Sequence, residues 1–227
     1  MLSAFRSGAL LCALALTSLQ AHAGGVALGA TRIVYPQGSA QVSLPVNNTD
    51  DKARFLIQSW VEDSSGKKSS DFSVTPPLFA IEPEKENTLR ISYTSPRALP
   101  TDRETLYWFN SKAIPQSSPE TRGMNTLQVA SLSRIKLFVR PEGLEPKPDL
   151  APEQLRFSRS AGKLVIHNPT PYHITLVKLK DGAASLPNTM VAPKSEVSVD
   201  SSGSGAITFS TINDYGATTP VATGQMK

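Results

Sequence analysis

Hydrophobic and polar residues alternate along this chain in short runs separated by turn-forming clusters, a period-two pattern that predicts β-strands. Val42, Leu44 and Val46 share one face ahead of the turn Asn47-Asn48-Thr49-Asp50-Asp51. Arg54 to Glu62 reads as a strand with Trp60 near its end, and Asp63 to Asp71 as a polar hairpin loop. Thr75-Pro76-Pro77 breaks the next segment. Leu89, Ile91 and Tyr93 alternate again, and Thr105 to Asn110 carries three adjacent aromatic residues. A Ser- and Pro-rich loop, Pro115 to Arg122, precedes the most distinctive stretch, Asn125 to Pro141. That stretch predicts one very long strand, roughly twice the common length of about 5–6 residues. Pro141, which cannot donate to a ladder, ends it. In its first half Leu127 and Val129 face one way, Gln128 and Ala130 the other; its second half is β-branched and aromatic and carries Arg134, Lys136 and Arg140. A strand of this kind can complete another protein's sheet by edge addition. It can equally be an internal strand of a sandwich, which periodicity alone favours.

Beyond this strand, Pro141-Glu-Gly-Leu-Glu-Pro-Lys-Pro148 is a proline-dense linker. Short strands then recur at Lys163 to His167, Ile174 to Leu179, Glu196 to Val199 and Ala206 to Ile212. The expected class is all-β: two immunoglobulin-like β-sandwich domains, residues 24–144 and 145–227, each close to the roughly 100 residues of that fold. Eighteen prolines, fourteen glycines and no sustained helical period agree with strands and turns.

The first 23 residues change the picture of what is folded. Arg6 supplies a positive start, Gly8 to Leu19 an apolar core, and Ala21-His22-Ala23 a small-residue cleavage site, so residues 1–23 read as a secretory signal. The apolar run falls short of the about 20 residues a membrane span requires, so no membrane anchor is expected. Cys12, the only cysteine, leaves with the signal. The mature chain then has no disulfide, although an oxidising compartment would permit one, and its stability must come from apolar cores. The net charge of +4 is mild, and no basic block or aromatic-interleaved stripe points to nucleic acid. His167 and His173 lack Cys or acidic neighbours at metal-ligand spacing, so no metal is expected. Gly203-Ser204-Gly205 lacks the Gly-x-Ser-x-Gly elbow, and neither paired carboxylates nor a phosphate-binding glycine loop stands out. No cofactor and no enzymatic activity are expected. An extracellular carbohydrate-binding sandwich and a secreted β-sandwich hydrolase are the rival classes.

Five motifs carry a family resemblance. Asn125-Thr126-Leu127-Gln128 followed by Ser133-Arg134-Ile135-Lys136-Leu137-Phe138-Val139-Arg140-Pro141 is one. Leu99-Pro100-Thr101-Asp102-Arg103-Glu104-Thr105-Leu106-Tyr107-Trp108-Phe109-Asn110, closing at Ala113-Ile114-Pro115, is the second. The others are the run Gly25 to Pro36, then Asn168-Pro169-Thr170-Pro171-Tyr172, then Thr211-Ile212-Asn213-Asp214-Tyr215-Gly216. In this order, and covering the mature chain, they resemble the periplasmic pilus chaperones of the chaperone–usher pathway, most of all the type 1 fimbrial chaperone. Capping of pilins by such chaperones is itself a known case of strand addition.

The resemblance implies two sandwiches set in an L around a cleft, in a protein of the periplasm. It implies that Arg32 and Lys136 bind the C-terminal carboxylate of a pilus subunit. It implies that Leu127, Val129 and position 131 form the donor strand filling the subunit's groove. It implies that Glu104, Arg140 and Asp214 form an ion network tying the domains together. Partners would be pilin or fimbrial subunits and an outer-membrane usher, with a self-capping dimer of the free chaperone left open. Two positions depart from the pattern. Ser131 stands where the type 1 relative has a large aliphatic residue, and Leu132 lies one residue out of phase. Either the partner's third pocket is small, or a bulge brings Leu132 round. Ser111 replaces a usual aliphatic residue, which predicts a weaker local core.

Overall fold

The structure, a computed structural model, describes residues 24–116 and 127–227. The proposed signal at 1–23, with Cys12 and His22, lies outside the described residues, as do Asn125, Thr126 and all but the first two residues of the Pro115 to Arg122 loop.

Among the described residues nine strands precede Pro141: β1 (Val26–Leu28), β2 (Arg32–Pro36), β3 (Val42–Asn48), β4 (Phe55–Glu62), β5 (Phe72–Thr75), β6 (Leu78–Ile81), β7 (Glu86–Tyr93), β8 (Thr105–Pro115) and β9 (Ser131–Arg140). They form two sheets, β1-β3-β7-β5 and β2-β9-β8-β4-β6. The alternation read from the chain explains the packing. Leu44 and Val46 on β3, with Leu89 and Ile91 on β7, face Ile33, Val61, Phe109, Leu137 and Val139 of the other sheet, and all are buried. On this first sheet Ser43, Thr88 and Arg90, beside those core positions, face out, as a half-buried strand requires.

After the linker come a 3-10 turn (Ala151–Gln154) and nine more strands: β10 (Arg156–Ser160), β11 (Lys163–Asn168), β12 (Ile174–Asp181), β13 (Ala184–Ser185), β14 (Thr189–Val191), β15 (Ser195–Asp200), β16 (Ile207–Thr211), β17 (Ala222–Thr223) and β18 (Gln225–Met226). They make the sheets β15-β11-β10-β18 and β13-β12-β16-β17, with β14 added beside β12. Phe157, Leu164, Ile166, Leu176 and Phe209 fill a second, separate core. The chain is therefore all-β with two sandwiches, as expected.

One expectation needs correction. Among the described residues the long strand starts at Ser131, and residues 127–130 belong to no strand. The register supplies the reason. Ser131 is paired with Ala113, so Val129 would come opposite Pro115, which has no N–H to offer. The strand still runs ten residues. Ser111 stands where the sequence predicts a weaker local core. It is buried opposite Ser59 on β4, and Ser59 Oγ donates to Ser111 Oγ at 3.3 Å, so each hydroxyl has a partner.

A two-cation seat between the sandwiches

Strand β9 splits its side chains between two tasks. Ile135, Leu137 and Val139 enter the first core. Lys136, Phe138 and Arg140, on the opposite face, meet residues of the second sandwich. Strand β2 runs parallel to β9 and places Arg32 directly opposite Lys136. Two residues a hundred positions apart thus become neighbours by sheet pairing alone.

Each of the two cations touches the second sandwich through a neutral group. Arg32 Nη1 donates to the carbonyl oxygen of Ile212 at 3.0 Å, and Lys136 Nζ donates to the Thr175 hydroxyl at 3.0 Å. Arg32 Nε is buried and among the described residues has no hydrogen-bond partner. Burial lowers the pKa of Arg32, an effect that Asp214 and Glu104 partly oppose. Burial also lowers that of Lys136, and the charge of Arg32 pushes it further down. Among the described residues neither cation takes part in an ion pair. Two half-buried, mutually repelling cations with a spare donor make a seat for an anion. A carboxylate suits it, because a guanidinium offers parallel donors and the ammonium a compact charge.

Beside this seat lies the ion network. Arg140 Nε donates to Glu104 Oε1 at 2.8 Å, while Nη1 and Nη2 donate to Asp214 Oδ2 and Oδ1 at 2.6 and 2.7 Å. The other oxygen of Glu104 accepts the backbone N–H of His173 at 2.7 Å and lies 3.2 Å from its Nδ1. Glu104 also joins the sandwiches through its own N–H, which donates to the Pro171 carbonyl at 2.9 Å. Burial alone would pull Arg140 down, but its bonds to Asp214 and the charge of Glu104 outweigh that and raise it above the ordinary guanidinium range. Arg140 stays charged at any working pH. The guanidinium lies 5.1 Å over the ring of Tyr172. Arg32 and the network border one cleft of about 460 Å³, whose walls include Glu104, Phe138, Arg140, His173, Asp214 and Tyr215.

The three predicted donor positions lie apart from this cluster: Ser131 opens β9, and Leu127 and Val129 fall in the segment just before it. Leu127 and Val129 are 89% and 70% exposed, and Ser131 is exposed as well. From Ser131 to Ile135, β9 pairs with β8 on one side, while its pairing with β2 begins only at Lys136. One edge of that half-strand is therefore open among the described residues. The β8–β9 register is unbroken from Ser131 to Val139, so no bulge turns Leu132 onto the face of Ser131. Leu132 pairs with Lys112.

Sequence reasoning missed four contributors: Thr175, Phe138, Tyr172 and His173. Thr175 is a polar position within the predicted strand Ile174 to Leu179, which marks it as outward-facing but not as a partner of Lys136. His173, dismissed as a metal ligand, instead holds Glu104 and stacks on Phe138 at 5.2 Å. Among the described residues no group of His, Cys, Asp or Glu side chains is placed to hold a metal ion, and no helix is long and apolar enough to cross a membrane.

Comparison with known proteins gives a consistent picture. Residues 25–145 match the family model described as "Pili and flagellar-assembly chaperone, PapD N-terminal domain". Residues 150–223 match "Pili assembly chaperone PapD, C-terminal domain". The chain is 52% identical to the chaperone protein FocC of Escherichia coli over 206 residues, covering 89% of this chain and 91% of that one. It is 51% identical to the chaperone protein FimC of Escherichia coli strain K12 over 205 residues, covering 89% and 85%. Among solved structures it resembles the periplasmic chaperone SfaE (TM-score 0.79, 50% identity, 88% of this chain and 100% of that one). It also resembles the Salmonella enterica SafB chaperone solved in complex with the SafA pilin (TM-score 0.80, 31% identity, 88% and 95%).

Proposed function

This chain belongs to the PapD-like family of pilus-assembly chaperones, and on that premise we propose that it binds, folds and caps pilus subunits in the periplasm by lending them a strand, then delivers them to an outer-membrane usher. The family's task is assembly rather than catalysis. The observation that carries the proposal is the pair Arg32 and Lys136, two cations that among the described residues form no ion pair, set at the foot of a strand whose upper edge is open among those same residues. A subunit's C-terminal carboxylate would settle there and set the register. The subunit's edge would then add along β9, with main-chain hydrogen bonds supplying affinity. Leu127, Val129 and Ser131 would enter the subunit's groove, the third with a small side chain that fits a shallow pocket. Glu104, Arg140 and Asp214 would hold the two sandwiches at a fixed angle and so keep the seat aligned with the strand.

The test is capture from the periplasm. Tagged native protein and Lys136→Ala are each co-expressed with neighbouring fimbrial genes, and mass spectrometry identifies what co-purifies. The native form should carry one small subunit per chaperone. Truncating one desolvated cation should cost roughly 2–5 kcal/mol, enough to strip the subunit from the variant. Equal capture by both forms would overturn the anchor, and no pilin-like partner for either would overturn the chaperone reading itself.

A further inference from the structure

The turn from Asn213 to Gly216 is tied to the first sandwich at Arg140 and Thr31, and one of its side chains takes no part in those ties. Ile212, just before it, receives the bond from Arg32. Asp214 takes two bonds from Arg140. Gly216, at φ +82°, is pressed against Thr31, whose Oγ1 lies 2.1 Å from where a Cβ would stand. Asn213 ties the turn internally: its Oδ1 accepts the N–H of Tyr215 at 3.1 Å and of Ala217 at 2.9 Å, and its carbonyl accepts that of Gly216 at 3.0 Å. Tyr215 rides on this rigid mount, borders the cleft beside Arg32, and is 93% exposed. Among the described residues its ring stacks on no other ring and its hydroxyl has no hydrogen-bond partner.

An aromatic ring held in water on a pinned turn does nothing for the fold. It is, however, the kind of side chain that carries binding energy, because it offers a large amphipathic surface and has few rotamers to lose. Phe138, Tyr172, Ile174 and Ile212 also line the cleft, so its surroundings are largely apolar. We propose that Tyr215 is a specificity-determining residue, whose ring packs on the side chain of the bound subunit's last residue and selects an aromatic or aliphatic one. The inference rests on the carboxylate seat at Arg32 and Lys136, since that seat places the last residue beside Tyr215.

The experiment uses two short synthetic peptides of alternating valine and threonine, one ending in phenylalanine and one in glycine, both with free carboxylates. Each is titrated into native protein, Tyr215→Ala, Tyr215→Phe and Lys136→Ala. Native protein should prefer the phenylalanine ending by about tenfold, the scale of one aromatic contact. Tyr215→Ala should erase that preference while melting at the native temperature; Tyr215→Phe should keep it. A preference that survives Tyr215→Ala overturns the proposal. Lys136→Ala separates the two ideas: it should weaken both peptides equally, and if it weakens neither, the seat itself is refuted whatever Tyr215 does.

Discussion

Replacing Arg140 by alanine should cost far more than its surface neighbours would suggest, and the network geometry sets the size. Three bonds vanish, one to Glu104 and two to Asp214. Asp214 is 37% exposed at its side chain, so water takes over its charge and the loss there stays below about 1 kcal/mol. Glu104 is different: its side chain is 1% exposed, and the variant leaves a buried carboxylate without its cation. Breaking such a pair costs about 3–5 kcal/mol. His173 still donates its backbone N–H to the orphaned carboxylate, which puts the expected loss near the low end, about 3 kcal/mol. Adding Glu104→Gln should recover part of it, because the penalty comes from the stranded charge and not from a missing attraction. The assay is urea unfolding followed by two probes. Both tryptophans, Trp60 and Trp108, lie in the first sandwich, so their emission reports that unit alone, while far-ultraviolet circular dichroism reports both. In native protein the two transitions should coincide; in Arg140→Ala they should separate. A loss under about 1 kcal/mol with coincident transitions, or a Glu104→Gln change that adds to the damage, would refute the reasoning.

The remaining predictions concern different links in the chain. Tyr107 donates to Asp71 at 2.7 Å, a bond that is the main reason Asp71 lies below the usual carboxylate range. A depressed carboxylate stabilises the fold above its unfolded pKa and loses that contribution as the pH falls through the folded value. Tyr107→Phe should therefore cost about 1–2 kcal/mol at neutral pH, and the gap to native should close below about pH 4; urea midpoints that differ equally at both ends would contradict it. Gly216→Ala meets both a positive φ and the Thr31 hydroxyl, and should destabilise by about 1–3 kcal/mol. Pairing it with Thr31→Ala should recover only the steric share, and a native melting temperature for the single variant would count against the contact. Leu127→Ser and Val129→Ser should leave the free protein within about 0.5 kcal/mol of native, since both side chains face water. The same variants should fail to retain a subunit in the capture experiment, and undiminished capture would remove these residues from the donor strand.

What the sequence alone determined was local. Leu44 and Val46, Leu89 and Ile91 alternate with polar neighbours, and any strand they form must turn that face inward, since burial of apolar area is the dominant gain. The signature around Glu104 and the Arg-Ile-Lys run from Arg134 carried the family, and with it Arg32, Arg140 and Asp214 as candidates. Periodicity could not say where the long strand starts. That is set by Pro115 on its neighbour, a residue whose missing N–H matters only once the register aligns it with Val129. Nor could it find Thr175 and His173, outward positions on the second sandwich with nothing in their own vicinity to mark them. The pairing of Arg32 with Lys136, the absence of an ion pair to either among the described residues, and the burial of Glu104 belong to the tertiary structure. Each depends on which distant strands lie side by side and on how much water remains between them, and neither is encoded in the spacing of residues along one strand.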